Sequence, residues 1–298
     1  MKTDYRQLLK PEVLNSIKGL ELIAKVVVEG YLSGLNKSRK VGAGMEFSQY
    51  RSYEQGDDLR LLDWKMLARS GRYYIKQADI DTNIAVKFIL DASNSMLHTE
   101  DGINKMDYAR FISATLGYLS KHQGDAIGLF ALNDHDLYSL FPKVNAQHFN
   151  RFLHQLVDIK NSGTWPVKSE TTNVLHNKKH KELIVFITDM YQANNELTEF
   201  ITRLKTKRNE VLLIHLMGRQ ELEMDYKGQV TFEDLESKHR VKVDVKSAEK
   251  AYRSALNEYM ETVKKEMLQL GVDYSLFSLQ DPIGDTLNLF LKRRSMLL

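Results

Sequence analysis

The residues Ile84-Ala85-Val86-Lys87-Phe88-Ile89-Leu90-Asp91 decide the fold class of this chain, because they form a nearly continuous apolar run that ends on a carboxylate. Such runs are typical of a strand that is covered on both faces, as in a parallel sheet. A second run of the same design, Leu183-Ile184-Val185-Phe186-Ile187-Thr188-Asp189, follows later in the chain. In an open parallel sheet, ligands bind at the carboxyl ends of the strands, which is where both aspartates fall.

The segments around these two strands alternate between strand and helix patterns. Four residues separate Ala126–Leu132 from Leu137–Phe141, which predicts an antiparallel hairpin. The other predicted strands are Val211–Met217 and Tyr274–Leu279, the predicted helices are Met106–Leu119, Leu197–Leu204, Ala248–Leu270 and Asp285–Arg293, and a small exposed hairpin is predicted near 228–245. The alternation predicts an α/β fold with a mostly parallel sheet and helices on both faces.

The first eighty residues have a different character. Apolar positions at helical spacing predict one long amphipathic helix from Pro11 to about Leu35. The segment from Met45 to Ile75 is dense in Tyr, Arg, Asp and Trp and has little clean periodicity. It is too short and too charged to predict a second independent core, so we interpret it as an extension of the α/β unit.

The composition excludes several classes of protein. The 298 residues include no cysteine, which rules out disulfides, thiolate metal sites and cysteine nucleophiles. The 42 basic residues nearly balance the 39 acidic ones, so we expect no sequence-independent binding of nucleic acid. The polar N-terminus and the strand-length apolar runs predict a soluble, cytoplasmic protein without direct membrane insertion.

The loop Asp91-Ala92-Ser93-Asn94-Ser95 carries the chemistry that the sequence predicts. A carboxylate and two hydroxyls at alternate positions can converge on one point, and hard oxygens favour Mg²⁺, with Mn²⁺ or Ca²⁺ also possible. Asp189 adds a second carboxylate, which still leaves a divalent cation unsaturated and open to an acidic group of a partner. The plainer interpretation is that Asp91 and the serines only cap the next helix.

The pattern Asp91-x-Ser93-x-Ser95 resembles the metal-ion-dependent adhesion site of von Willebrand factor type A domains. That resemblance implies a mostly parallel Rossmann-like sheet with one antiparallel edge strand. It also implies an aspartate on a later strand, matched by Asp189, and a threonine on a later loop. We assign the threonine to Thr164, with Thr171 and Thr172 as rivals. The family implies direct ligation by the three hydroxyls, with the aspartates acting partly through water and the sixth position left for a partner's carboxylate.

The sequence upstream of Asp91 resembles the bacterial family called domain of unknown function 58. The residues that carry this resemblance are Glu46-Phe47, Arg51-Ser52-Tyr53, Gly56-Asp57-Asp58-Leu59-Arg60, Asp63-Trp64 and Ala68-Arg69. It implies an N-terminal extension over 1–82 and a type A domain over 83–298. The acidic pair often found before the first strand is represented only by Asp79 and Asp81. We expect ion pairs between the arginines and aspartates of the extension, Arg51, Arg60 and Arg69 with Asp57, Asp58 and Asp63, to hold it on the domain.

Three functions follow from these patterns. The leading hypothesis is a non-enzymatic protein-interaction module whose partner, by family resemblance, is a MoxR-type AAA ATPase. One alternative is a Mg²⁺-dependent hydrolase acting on a phosphate ester, with Asp91 and Asp189 beside the metal ion. The other is a metal-free scaffold that works by shape. The sequence has no phosphate-cradling glycine loop, Gly-x-Ser-x-Gly elbow or zinc-protease motif.

Overall fold

A computed structural model of the chain describes residues 9–39, 50–52, 69, 71, 73–76, 84–166 and 181–295. Its main feature is a six-stranded sheet. The strands are β3 (Ala85–Asp91), β6 (Ala126–Leu132), β7 (Leu137–Lys143), β8 (Glu182–Thr188), β9 (Asn209–Met217) and β12 (Asp273–Ser278). They lie in the order β12-β9-β8-β3-β6-β7. All neighbours are parallel except the edge pair β6 and β7. The predicted α/β class, the mostly parallel sheet and its antiparallel edge strand are confirmed.

The two strands that end in aspartate lie side by side at the centre of this sheet. β3 pairs with β8 in a parallel register that places Leu90 opposite Ile187, so the two carboxyl ends meet at one edge. Every residue of both strands is buried. Successive side chains point to opposite faces of a strand, and Phe88 contacts Phe152 on one face while Ile89 joins the core on the other.

Helices cover both faces of the sheet, as the alternation of patterns predicts. The longer ones are α3 (Lys105–His122), α4 (Ala146–Asp158), α5 (Glu196–Leu204), α7 (Val245–Leu270) and α8 (Ile283–Ser295), and α6 (Arg219–Glu223) is a short one. On the face of Ile89, the core includes Phe200 of α5 and Val263 of α7. On the face of Phe88, Phe152 belongs to α4 and stacks on Phe149 at 6.0 Å.

Three short antiparallel pairs lie outside the central sheet. Strand β1 (Tyr50–Ser52) pairs with β2 (Tyr74–Lys76), and β4 (Thr99–Glu100) with β5 (Ile103–Asn104). The third pair, β10 (Gln229–Glu233) with β11 (Arg240–Asp244), is the small hairpin that the sequence predicts near 228–245. Within the described residues, β10 and β11 pair with each other and with no strand of the central sheet.

The single long helix predicted from Pro11 to Leu35 is wrong at its start. The chain instead forms α1 (Pro11–Leu14) and α2 (Ile17–Arg39), which are separated at Asn15 and Ser16. The Ser16 hydroxyl accepts the Gly19 N–H at 3.1 Å and so caps α2, while Arg110 donates to the Asn15 side chain at 2.7 Å. Side-chain bonds of this kind compete with the helical backbone and favour a new helix start.

The chain divides into two compact units, one formed by residues 1–29 with 83–297 and the other by residues 30–82 with the last residue. The central sheet and every residue of the candidate site belong to the first unit. The domain boundaries predicted at 82 and 83 stay a prediction. The aspartates and Arg60 of the expected ion-pair network, and the acidic residues Asp79 and Asp81, lie outside the described residues.

Candidate cation site

The loop after β3 holds the first half of the site. Asp91 is fully buried, and its Oδ1 accepts the Ser93 N–H at 3.0 Å, which folds the loop back on the strand end. The Ser93 and Ser95 hydroxyl oxygens are 2.9 Å apart. The predicted convergence of one carboxylate and two hydroxyls is therefore present at the end of β3.

Asp189, directly after β8, completes the cluster. Its Oδ1 accepts the Ser95 hydroxyl at 3.1 Å and the Tyr191 N–H at 3.2 Å. The preceding Thr188 donates its hydroxyl to Asp91 Oδ2 at 2.7 Å and accepts the Met190 N–H at 3.0 Å. Thr188 thus links the two strand ends, a role that nothing in the sequence motif indicates. Four of the five predicted site residues lie together here.

Burial and the neighbouring Asp189 disfavour the charged form of Asp91. Burial first, and then the charge of Asp189, raise the pKa of Asp91 to about 6, although hydrogen bonds from Ser93 and Thr188 act in the opposite direction. A divalent cation at this place would reverse that balance, because it favours the charged form of both groups.

Lys105 is a site residue that sequence reasoning missed. Its ammonium lies 3.1 Å from Asp189 Oδ2 and 2.8 Å from Glu221 Oε1, and the residue is 3% exposed. Burial alone would lower its pKa, but the charges of Asp189 and Glu221 raise the pKa overall, so Lys105 stays positive. A signal existed, because Lys105 begins α3 and a cation at a helix N-terminus opposes the helix dipole unless a carboxylate compensates it.

His215 in β9 is a buried, neutral imidazole next to Asp189. The residue is 1% exposed, and its Nδ1 lies 2.9 Å from the Tyr274 hydroxyl. Burial lowers the pKa of His215 to about 4, against the opposing effect of the nearby Asp189 charge. At neutral pH it therefore adds packing and hydrogen bonds behind Asp189 without adding a positive charge.

A third carboxylate reaches the cluster from the tip of the β10–β11 hairpin. Burial, followed by the charges of Asp91 and Asp189, raises the pKa of Glu236 to about 7, while the Ser95 hydroxyl favours its charged form. A cleft of about 560 Å³ separates the sheet edge from this hairpin. Its walls are Ser95, His98, Lys105, Asp189, Tyr191 and Glu221 on one side and residues between Phe232 and Val241 on the other.

Thr164 lies in a loop bonded to the motif, but its own side chain is directed to a neighbour. The Asn94 N–H donates to the Gly163 carbonyl at 3.0 Å, and Asn161 donates to the Ser93 carbonyl at 2.8 Å. The exposed Thr164 donates its hydroxyl to the Trp165 carbonyl at 3.3 Å. The choice of threonine stays a prediction, and the rivals Thr171 and Thr172 lie outside the described residues.

The donor set fits a hard cation. Asp91, Ser93, Ser95 and Asp189 offer oxygen atoms only, which suits Mg²⁺, Mn²⁺ or Ca²⁺ better than zinc. Over the described ranges, no group of three or more Asp, Glu or His side chains forms a metal site from those residue types alone. A cation here would therefore depend on the serine hydroxyls and on ligands from outside the motif.

The chain belongs to the family described as Protein of unknown function DUF58, whose sequence profile matches residues 49–266. Uncharacterized proteins of Mycobacterium bovis and Mycobacterium tuberculosis are each 24% identical to it over 230 residues, 76% of this chain and 72% of theirs. The predicted family membership is confirmed.

Several solved structures are similar to this chain at low identity. The conserved hypothetical protein BatB from Bacteroides thetaiotaomicron is 14% identical, with 70% of this chain and all of that one covered and a TM-score of 0.44. An aerotolerance-related membrane protein from Bacteroides fragilis is 15% identical, with 72% of this chain and all of that one covered and a TM-score of 0.46. The SpRpn10 VWA domain is 11% identical, with 70% of this chain and 95% of that one covered and a TM-score of 0.38. In this chain, none of the described helices has the length and apolar character needed to cross a membrane.

Proposed function

We propose that this protein is a non-enzymatic interaction module. In this proposal Asp91, Ser93, Ser95 and Asp189 hold a divalent cation, Mg²⁺ first, and the cation binds an acidic group of a partner protein. The supporting observation is the contact chain from Ser93 through Ser95 to Asp189, with steps of 2.9 and 3.1 Å between buried side chains. When bound, the cation would supply the positive charge that holds a partner's carboxylate.

The charge balance of the site supports a cation. Asp91 and Asp189 are 0% and 8% exposed, and Lys105 shares its single positive charge between Asp189 and Glu221. Buried carboxylates without equal positive charge are costly to fold. A divalent ion beside Asp91 would neutralise the excess.

Two of the nearby nitrogen bases favour binding over catalysis. Lys105 is held protonated by two carboxylates, so it is a poor proton acceptor. His215 is neutral, but it is buried behind Asp189 and bonded to Tyr274. A general base must reach the proton that it removes. Neither of these two residues suits a hydrolytic water. His98, which lines the cleft, and Glu236, with a pKa of about 7, stay as candidate bases, so the hydrolase hypothesis ranks second to the interaction module.

The partner we propose is a MoxR-type AAA ATPase, on the basis of the family resemblance in the sequence. Such an ATPase needs ATP, so the complex that we propose forms in the cytoplasm. The acidic group would come from the ATPase and would occupy the position that the protein's own oxygen donors leave open.

The test uses the full chain after treatment with EDTA. At a Mg²⁺ concentration about a hundredfold above its dissociation constant, we expect stabilisation by about 2.7 kcal/mol, or roughly 5 to 10 °C in Tm. The Asp91→Ala variant should remain folded and lose this response. Glu199→Ala, an exposed acid on α5, is the matched control. A wild-type Tm that neither Mg²⁺ nor Mn²⁺ changes would contradict the proposal.

Partner binding is measured with the same variants. Purified ATPase immobilised on a resin should retain the wild-type protein in Mg²⁺ and release it in EDTA, while Asp91→Ala should pass through. Glu199→Ala should behave like the wild type. Equal retention in Mg²⁺ and EDTA would exclude a role for the cation in binding.

One observation favours the metal-free scaffold as a second candidate. The Lys105 ammonium already lies within hydrogen-bond distance of Asp189 and Glu221, so the site contains one fixed cation of its own. In that case Lys105 would hold the shape of the site through its two carboxylates, and the partner would bind by shape alone. Retention of the ATPase in EDTA that disappears in Lys105→Met would support this candidate over the cation site.

A further inference from the structure

The tip of the β10–β11 hairpin, residues 234–239, faces the candidate cation site across the cleft. Asp234 and Ser237 line the cleft from the hairpin side, opposite Ser95 and Asp189. The Glu236 side chain lies close enough to interact with the charges of Asp91 and Asp189 and with the Ser95 hydroxyl. The hairpin therefore places a carboxylate of this same chain beside the proposed cation.

Within the described residues, the buried Oε1 oxygen of Glu236 has no hydrogen-bond partner. A buried carboxylate oxygen without a partner is unfavourable, so its presence at this point indicates a ligand that satisfies it. A divalent cation would satisfy this oxygen and would also offset the charges of Asp91 and Asp189, whereas a proton on Glu236 would satisfy the oxygen alone.

We infer that Glu236 is drawn onto the cation as an internal ligand when the ion binds, and that it then occupies the position that a partner's carboxylate would take. Without the ion, Asp91, Asp189 and Glu236 do not form a metal site by themselves. This inference rests on the proposed function, because it assumes that a divalent cation binds at Asp91, Ser93, Ser95 and Asp189. It adds a regulation of that site: the protein is closed by its own hairpin, and a partner's acid binds only after the hairpin tip has moved away.

The tip is built to hold Glu236 in place. The Asp234 carboxylate accepts the Glu236 N–H at 2.9 Å and the Ser237 hydroxyl at 2.5 Å. The same carboxylate accepts the Tyr191 hydroxyl at 3.0 Å, which ties the tip to the loop after Asp189. A single side chain, Asp234, therefore fixes the turn and attaches it to the site.

The rest of the hairpin is lightly attached, so it can move. Strand β10 alternates between exposed and half-buried residues, and β11 is exposed except at Val243. Phe232 packs edge-on against Tyr226, with ring centres 5.2 Å apart. Gly228, just before β10, has a φ of +72° with no atom near the place of a side chain, which suits a hinge. Opening the hairpin thus disrupts few buried contacts.

The experiment counts the waters bound to a Mn²⁺ ion in the site. Mn²⁺ binding to the full chain is followed by electron paramagnetic resonance, and water proton relaxation reports the waters on the bound ion. If Glu236 is a ligand, Glu236→Gln should bind Mn²⁺ about tenfold more weakly and gain the relaxation effect of one extra water. Tyr191→Phe, which keeps Glu236 but loosens the tip, should show a smaller change in the same direction.

Glu233→Gln is the matched control, since it removes the same charge from the same hairpin and cleft. It should retain the wild-type relaxation per bound ion. If Glu236→Gln and the wild type have the same affinity and relaxation, the internal ligand is excluded while the cation site stands. If the wild type binds no Mn²⁺, the proposed function itself fails.

Access for a partner is tested with a small acidic probe, the peptide acetyl-Gly-Glu-Gly-amide, on Mn²⁺-loaded protein. Removing the internal competitor should strengthen peptide binding by at least about tenfold in Glu236→Gln, because the bound fraction of a competing group reduces apparent affinity. The Glu233→Gln control should bind the peptide as the wild type does. Weaker peptide binding to Glu236→Gln than to the wild type would overturn the closed-hairpin mechanism.

Discussion

The two ends of strands β3 and β8 differ sharply in how they balance buried charge. At the amino end, Lys87 of β3 and Glu182 of β8 form a pair with 2.6 Å between nitrogen and oxygen and side chains only 3% and 4% exposed. At the carboxyl end, the same strands present Asp91 and Asp189, with Lys105 as the nearest ammonium.

The difference indicates which end is structural. At the amino end, one ammonium meets one carboxylate at 2.6 Å, so the two charges of this pair offset each other. At the carboxyl end, Asp189 and Glu221 share one ammonium, and Asp91 and Glu236 are disfavoured in their charged forms. Similar burial with unequal charge supports the cation site that we propose at the carboxyl end.

Breaking the balanced pair should have the largest effect. Lys87→Met leaves the Glu182 carboxylate buried without its 2.6 Å partner, and we expect a loss of about 3 to 5 kcal/mol in the free energy of unfolding, measured with urea. Mg²⁺ should not restore it. The double variant Lys87→Met/Glu182→Leu should recover most of the loss, and failure to recover would show that packing rather than charge holds this end together.

Lys105→Met tests the unbalanced end in the same way. In EDTA we expect a loss of about 3 kcal/mol, because two carboxylates lose their ammonium. Here, unlike at Lys87, Mg²⁺ should restore most of the stability, since a divalent ion can replace the missing charge. Equal losses in EDTA and in Mg²⁺ would mean that Lys105 is as purely structural as Lys87.

Asp91→Asn keeps the shape of the site and removes one charge. We expect it to lose the Mg²⁺ increment of about 2 to 3 kcal/mol in thermal or urea unfolding. In EDTA at neutral pH it should be as stable as the wild type or more stable, because burial and Asp189 disfavour the charged Asp91. A large loss of stability in EDTA would assign Asp91 a structural role like that of Glu182.

The pH dependence of the Mg²⁺ increment gives the smallest effect. The folded pKa of Asp91, about 6, lies above its unfolded value of 3.8, so the cation competes with a proton below pH 6. Between pH 7.5 and pH 5, apparent affinity should fall about tenfold, which corresponds to about 1.4 kcal/mol. Taking the difference with and without Mg²⁺ removes the separate effect of His215, whose lowered pKa also reduces stability as the pH falls from 6.5 toward 4. An increment that is constant with pH would exclude ligation by Asp91.

Much of the fold follows from local patterns. The runs before Asp91 and Asp189 predict buried parallel strands, and the four-residue link after Leu132 predicts the antiparallel edge pair. The helix break at Asn15 has one local cause, the Ser16 hydroxyl that caps α2, and one distant cause, the bond from Arg110, which no local pattern indicates. The pattern also predicts four of the residues that meet at the site, since a short motif fixes their spacing.

The sequence by itself determined the α/β class, the family and the pairing of a carboxylate with two hydroxyls after β3. Only the tertiary structure decided which distant residues join them: Thr188 between the strand ends, Lys105 and Glu221 beside Asp189, and Glu236 from the hairpin. The physical reason is that periodicity and local motifs record what neighbours in the chain do. Charge balance in a buried site depends instead on groups that only the folded chain brings within a few ångströms of one another.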